Sequence, residues 1–562
     1  MKKYFLLIAV SLLLLQLPVA GQTSPVLQIT NDNGNAVLSA NLPPAWPFSL
    51  QTTTNLLHPI IWTDLSVSNI TNSQFGYTNV LMDNPQQFFR LAEAPPIFQF
   101  AIFYNLDLEI AFAQPFVITG PVFSNGGIWS GSPNVTFKNL VSAVGTATNS
   151  ASDPFTTPPY AGSGLSIYSM AGQPTSGNAP LTMAFMGTNN DPAAAEALIN
   201  LPPPNYAMGT APAYSATGAV YLANDVDLYL TNFPNGTNWG SRIPKGTNMA
   251  LFYQDAANIP YLTFVPFDFY LLTNRTAHFI YFTNTVSPDQ LTNTIYAGYS
   301  FVTNDIFYDW REGWNGGSGV LSGPKGKAVQ AVQIDVARFN IWLTNTAANN
   351  GGSPYNNQCM SDKLHPIDSI YIYNAVPLTA TNLPAVRVIN GSMLPTQTAP
   401  YGFTIVTPQP MYVYGNYNVS NSFGSSLGQN TTAYTWPAAL MADSITILSG
   451  SWNDGNTTRR PSASSTTINA ACLAGIVPST NSMYSGGVEN FLRTLESWST
   501  SGGLWYNGSI VAMFPSQYAT NFWQQTGNYY DAPARHWAFD TNFVRLSGLP
   551  PLTPTVLNHV TP

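Results

Sequence analysis

Charge is what this sequence has least of. Among 562 residues there are 18 Lys and Arg, 26 Asp and Glu and 5 His, so charged side chains make up 8%, against roughly a quarter in an ordinary soluble domain. With so few basic residues and a formal net charge of −8, a polyanionic partner is excluded, nucleic acid included. Cysteine is almost absent. Cys359 and Cys472 are the only two, too few to form a disulfide framework for a chain this long. They are either paired with each other or two small buried hydrophobes, and sequence distance does not decide between these. There is no H-E-x-x-H, C-x-x-C or P-loop string. His58, His278, His365, His536 and His559 are scattered without ligand spacing, so zinc has no support. Oxygen-rich loops suit calcium, but no EF-hand or Gly-Asp nonapeptide repeat is present, and no cofactor is expected.

What is plentiful is apolar and aromatic matter, 45% and 13% of the chain, enough for a large core and against global disorder. The first residues have the form of a secretory signal peptide: Lys2 and Lys3, an apolar run from Tyr4 to Leu15, then Pro18-Val19-Ala20-Gly21. Removal of residues 1–21 leaves 16 basic against 26 acidic residues. The run is too short to span a bilayer, and no later stretch reaches the necessary ~20 apolar residues. The expected product is a secreted or extracytoplasmic chain, in the periplasm or at the cell surface, with no transmembrane segment.

Residues 22–94 form the first expected unit. Apolar runs at Val26–Ile29, Ala36–Leu38, Phe48–Leu50, Ile60–Trp62, Val80–Met82 and Phe88–Leu91, punctuated by Asn, Gly, Pro and Thr, predict a small antiparallel β-sandwich. Ala94-Pro95-Pro96 reads as a linker. Residues 97–552 are again mainly strand-like, with β-rich runs at Phe98–Phe103, Phe116–Ile118, Val122–Ile128, Tyr261–Phe269, Phe279–Phe282, Ile370–Tyr373 and Met411–Tyr417. Short strands, frequent Gly and Asn turns and few charges predict a β-solenoid, a β-helix-like body, although no clean repeat period is visible. Helices are few. Val488, Phe491, Leu492, Leu495 and Trp498 form an apolar stripe at helical spacing that predicts a helix near 486–499. Asp191 is placed to cap a short helix through Ala193–Ile199, and Val329–Leu343 reads as a strand followed by a helix. Residues 345–358 and 420–433 read as exposed loops, and 553–562 as a tail.

Several segments resemble a family of large exported bacterial proteins associated with type IV pili, minor-pilin-like in type. They are FQFAIFYNLDLEIAFAQPFVITGPVFSNGGIW (98–129), FYDWREG (307–313), PAALMADSITILSGSWND (437–454) and the run from SGGVENFLRTLESWS to YDAPARHWAFDTNF (485–543). FSLQTTTNL, IIWTDL and QQFFRL in the first unit resemble a small β-sandwich module of exported proteins from Verrucomicrobia-like bacteria. The resemblance implies an extracytoplasmic β-helix-like body with no established catalytic role. The leader departs from a prepilin leader, which ends in Gly-Phe before a helix, so entry into a pilus by an N-terminal helix is not implied.

Candidate chemistry is sparse. Asp107 with Glu109, and Asp225 with Asp227, alternate as they would on one strand face. Such pairs are either general acid and base for glycoside hydrolysis, calcium ligands, or the wet face of a half-buried strand. Asp309, Arg311 and Glu312 form the densest charge cluster, read as a mutually neutralising structural lock with an active site as the rival reading. Arg535, His536 and Asp540 are a second cluster beside Trp537. Gly424–Gly428 matches a nucleophile-elbow string without the helix that should follow it. The function expected is structural, adhesive or pilus-assembly-associated, without catalysis, with cell-surface proteins or glycans as partners. A secreted polysaccharide lyase or hydrolase on a β-helix body is the rival.

Overall fold

Runs such as Ala438–Ala442 and Ala471–Ile476 are apolar at every position, the pattern of strands buried on both faces of a parallel sheet. The computed structural model describes residues 95–110, 114–148, 165–183, 191–231 except 209 and 216, 301–312, 326–344, 367–395, 402–420, 435–455, 459–480, 484–498, 503–521 and 529–558. It also describes 432, 523 and strands lying within 27–93, 248–268 and 283–294. The chain is mainly β with parallel sheets and only short helices.

One parallel ladder runs through the body. Its register sets Leu228, Ile370, Ile405, Leu440, Cys472, Ile510, Ile102, Val122 and Val141 side by side. All are buried, so a continuous apolar row forms one wall of the core. Cys472 is one member of that row, a free thiol in a position that asks for a small hydrophobe. Burial pushes its thiol up to about 12.

A second ladder is built from Lys327–Asp335, Asn382–Ile389, Met411–Tyr414, Ile445–Leu448 and Leu492–Thr494, all parallel. A third joins Thr466–Asn469, Gly503–Gly508 and Ala534–Phe539. From Ala438 to Gly508 the chain visits the first, second and third ladders in turn, twice over, beginning with Ala438–Ala442, Ile445–Leu448 and Thr466–Asn469. The N-terminal part also cycles through three strands, Ile102–Tyr104, Leu108–Ile110 and Phe116–Ile118; the first lies in the first ladder, and each of the other two opens a three-stranded parallel sheet of its own. Corners are closed by neutral amides. Asn418 and Asn469 exchange side-chain-to-carbonyl hydrogen bonds at 2.9 Å, and Asn507 donates to the Asn469 side chain at 2.7 Å. Such stacked amides satisfy buried polar groups without charge. Gly402 is required at another corner: its φ is +92°, and a Cβ there would lie 2.0 Å from the Pro437 carbonyl oxygen.

The strands from the two ends of the body meet. Ile510–Pro515 pairs with Ile102–Tyr104, so the last-made strand of the first ladder adjoins the first-made one. At the other end the antiparallel strands Asn248–Gln254 and Pro260–Asp268 carry the pairing over from Leu228–Thr231 to Val302–Asp309, and so from the first ladder to the second. The expected tail is tied in as far as Asn558, because Leu557–Asn558 pairs with Leu181–Thr182.

The N-terminal strands Leu27–Asp32, Asn35–Asn41 and Gln74–Val80 form one antiparallel sheet, and Phe48–Thr53, Thr63–Ser68 and Phe88–Glu93 another. The expected helices at 191 and 336 are present. Asp191 caps Pro192–Ala195 by accepting from Ala193 N at 2.9 Å, and Val336–Thr344 follows the strand Lys327–Asp335 directly. The helix expected at 486–499 is not. Val488–Asn490 is a single 3-10 turn and Leu492–Thr494 is a strand. A helical stripe presumes that the polar residues between its apolar positions face water, and here Arg493 and Glu496 are buried with the rest. The loop 345–358, Phe279–Phe282, Ile60–Trp62, the Gly424–Gly428 string, Cys359 and residues 1–21 lie outside the described residues.

Ile510→Ala should cost about 2–5 kcal/mol by opening a cavity where the two ends of the body meet. Urea denaturation will read the loss, and hydrogen exchange should show Ile102–Tyr104 losing protection with it.

Candidate functional site

Strand alternation places Gln333, Arg387, Tyr412, Thr446 and Arg493 in one row on the outer face of the second ladder, since the register pairs each with the next. Their neighbours Val386, Val388, Met411, Val413, Ile445, Ile447 and Leu492 face the main core. The row does not meet water. A second apolar cluster that includes Phe307, Trp310, Trp452, Trp523 and Tyr529 covers it. Buried cations in such a place need acceptors, because an unpaired buried charge is strongly destabilising.

The cluster Asp309, Arg311 and Glu312 supplies them. All three are buried, at 1%, 2% and 1% exposure. Glu312 Oε1 accepts from Arg493 Nη2 at 2.5 Å, and Oε2 accepts from the Asn521 backbone N–H at 3.1 Å. Asp309 Oδ2 accepts from the Tyr412 hydroxyl at 2.7 Å, while Oδ1 accepts from the N–H groups of Arg311 and Glu312 at 2.9 and 3.3 Å. Every carboxylate oxygen of the pair is therefore engaged. Trp310 Nε1 donates to the Tyr529 carbonyl at 2.9 Å and fastens the covering layer to the same segment. Burial, then the neighbouring Arg493, lowers the Arg311 guanidinium to about 10. Further along the row Arg387 is held by Asp305, by Asp454 at 2.7 Å and by Gln333 at 2.7 Å, with the Phe307 ring 5.0 Å from its guanidinium carbon.

The sequence singled out Asp309, Arg311 and Glu312 but not their partners. Arg493 lay hidden in the expected helix. Asp305, Arg387 and Asp454 are isolated charges whose only signal is their rarity in a charge-poor chain. Glu496 is a further buried carboxyl, accepting from the Ser449 backbone N–H and hydroxyl, each at 2.6 Å.

The other candidates are dispersed. Arg535 and His536 fall on opposite faces of the strand Ala534–Phe539. Arg535 reaches the Glu489 carbonyl at 2.9 Å, while His536 is exposed and stacks on Trp505 with ring centroids 4.4 Å apart. Asp540 accepts from Asn542 N at 3.0 Å as the cap of a 3-10 turn. Asp107 and Glu109 do not share a wet strand face. Asp107 sits in the preceding turn, accepting from Gly127 N at 2.6 Å, and Glu109 is buried, accepting from Ser479 and Ser485 at 2.6 and 2.7 Å. Asp225 ends the short helix Leu222–Asp225 and Asp227 lies just before the next strand, where it accepts from Asp368 N at 2.8 Å. Neither pair forms an open two-carboxylate site. Among the described residues no group of three or more His, Cys, Asp and Glu converges to hold a metal ion.

Comparison of the chain with protein-family models, with curated proteins and with solved structures finds no match in any of the three.

Glu312→Ala should cost about 3–5 kcal/mol, because Arg493 is left buried without its carboxylate. Glu312→Leu combined with Arg493→Met should recover most of that loss, and urea denaturation of the three proteins checks both statements. Glu496 gives a pH dependence. Burial raises its carboxyl from 4.5 to about 7, with Ser449 opposing. A raised carboxyl contributes stability below its unfolded pKa and loses it as pH climbs through the folded value. Stability should thus fall between about pH 4.5 and 7 by on the order of 3 kcal/mol, and Glu496→Gln should flatten that slope in denaturation midpoints measured across the range.

Proposed function

We propose that this chain is an exported, surface-acting β-solenoid that binds glycans without turning them over, in an adhesive or assembly role such as the pilus-associated resemblance implies. The stacked parallel ladders visited in fixed order support the solenoid reading. The N-terminal pair of antiparallel sheets then serves as an accessory module. The outer face of the second ladder, which carries the buried charges, is covered, and the charge cluster is engaged internally, which favours a structural part for it over acid–base chemistry.

The observation that carries the ligand class is the outer face of the third ladder. Trp505 and His536 pair in register and stack there, with His536 exposed. Two further strands of the same kind present Val117 and Ile167, 45% and 52% exposed, on either side of Thr136. Phe116 meets Trp537 edge to face at 6.0 Å, which sets these two groups of strands against each other. An aromatic and apolar strip suits the faces of neutral sugar rings, with Thr136 between Val117 and Ile167 as a hydroxyl neighbour.

The test is a glycan array together with polysaccharide-turnover assays on the purified chain, with and without calcium. Binding without turnover is expected, weakened at least about tenfold (roughly 1.4 kcal/mol) in Trp505→Ala and indifferent to calcium. Product release that disappears in Glu312→Gln or His536→Ala would overturn the reading and make the chain a polysaccharide-degrading enzyme.

A further inference from the structure

The two guanidiniums of the charge cluster are not fully satisfied by the protein. Among the described residues Arg311 makes no ion pair. Its one side-chain hydrogen bond runs from Nη1 to Asn490 Oδ1 at 2.8 Å, with the Tyr529 ring 5.9 Å from its guanidinium carbon. Arg493 spends Nη2 on Glu312, and its Nη1 contacts to Ser444 and Ala519 are long, at 3.4 Å each. The Nε–H groups of both arginines are buried and have no acceptor among the described residues. These side chains line one small pocket together with Ser444, Ser485, Asn490 and Ser516, with about 20 Å³ of room for water-sized centres. That space admits a water or the head of a planar oxyanion and excludes a sugar ring.

We propose that this pocket binds a carboxylate head, carried by a small free acid or by an acidic sugar. The planar Arg fork matches a carboxylate in geometry as well as charge. Asp309 and Glu312 balance the two guanidiniums in formal charge, yet all four of their oxygens are engaged elsewhere, so neither supplies an acceptor to Nε. A guest is then held by desolvated, fixed donors rather than by net positive charge, and the affinity is weak, on the order of millimolar. The pocket lies apart from the third ladder's outer strip, so this inference stands or falls independently of the glycan reading.

The test uses the full mature chain, with sodium formate and galacturonate as probes in thermal-unfolding and calorimetric titrations. A saturable rise of a few degrees in the unfolding midpoint is expected with formate. It should be weakened at least fivefold both in Arg311→Gln and in Val477→Phe, which fills the pocket lining and leaves the arginines in place, and unchanged in Trp505→Ala. A response to formate but not galacturonate identifies a free acid as the guest, and a response to both identifies an acidic sugar whose carboxylate enters while its ring stays outside; either supports the proposal. Absence of any saturable rise means that water alone fills the space, and equal rises in the wild type and both variants mean general salt action. Either result overturns it.

Discussion

The Arg493–Glu312 pair, closed between the second ladder and the segment that crosses it, is the contact on which the outer architecture depends. A parallel ladder has two faces, and one face of this ladder is needed for the main core. The other face would be an apolar wall in water unless something covered it. The segment after Val302–Asp309 does so by bringing Asp309 and Glu312 over a row that contains Arg387, Tyr412 and Arg493, with the Trp310 ring against Trp452 at 5.4 Å. Hydrophobic cover alone is not directional. The ion pair and the Tyr412–Asp309 hydrogen bond give it one register, because a shift along the row would leave buried charges unpaired.

The second constraint is topological. The first ladder is continuous only because Ile510–Pro515 pairs with Ile102–Tyr104. The N-terminal strands of the body are made early, yet one of their edges stays open until the chain has passed residue 510. Contacts of such sequence separation are slow to form and reward the chain late.

Composition and apolar runs made the β class legible, together with strands such as Phe48–Thr53, Phe116–Ile118, Ser369–Tyr373 and Met411–Tyr414. Asp191 and the strand–helix at 327–344 were readable because capping and periodicity are local signals. The ladder order was not readable. Along the first ladder the register joins residues 19 or 20 apart in the N-terminal part, as in Ile102, Val122 and Val141, but 32 to 38 apart from Ile370 to Ile510. No fixed period exists to be found. The 486–499 helix shows the complementary failure. Its stripe has the right spacing, but Glu496 and Arg493 answer to Ser449 and Glu312, 47 and 181 residues away, and tertiary pairing overrides a local period. In the candidate site the sequence named Asp309, Arg311 and Glu312 and missed Arg493, Arg387, Asp305 and Asp454 for the same reason.

Scarcity of charge follows from this plan rather than standing beside it. An exposed surface gains little from ion pairs, which are worth at most about 1 kcal/mol there. The corners are closed instead by amide stacks such as Asn418, Asn469 and Asn507. Charges are then retained where burial makes them discriminating. Arg387, Arg493, Asp309 and Glu312 are all nearly inaccessible to water, and each is matched to a partner from another element. In an ordinary domain a lone charge is most often a solvated residue. In this buried row it marks a place where two distant segments are held in register, and among the described residues the Nε groups of Arg311 and Arg493 are left over from that pairing.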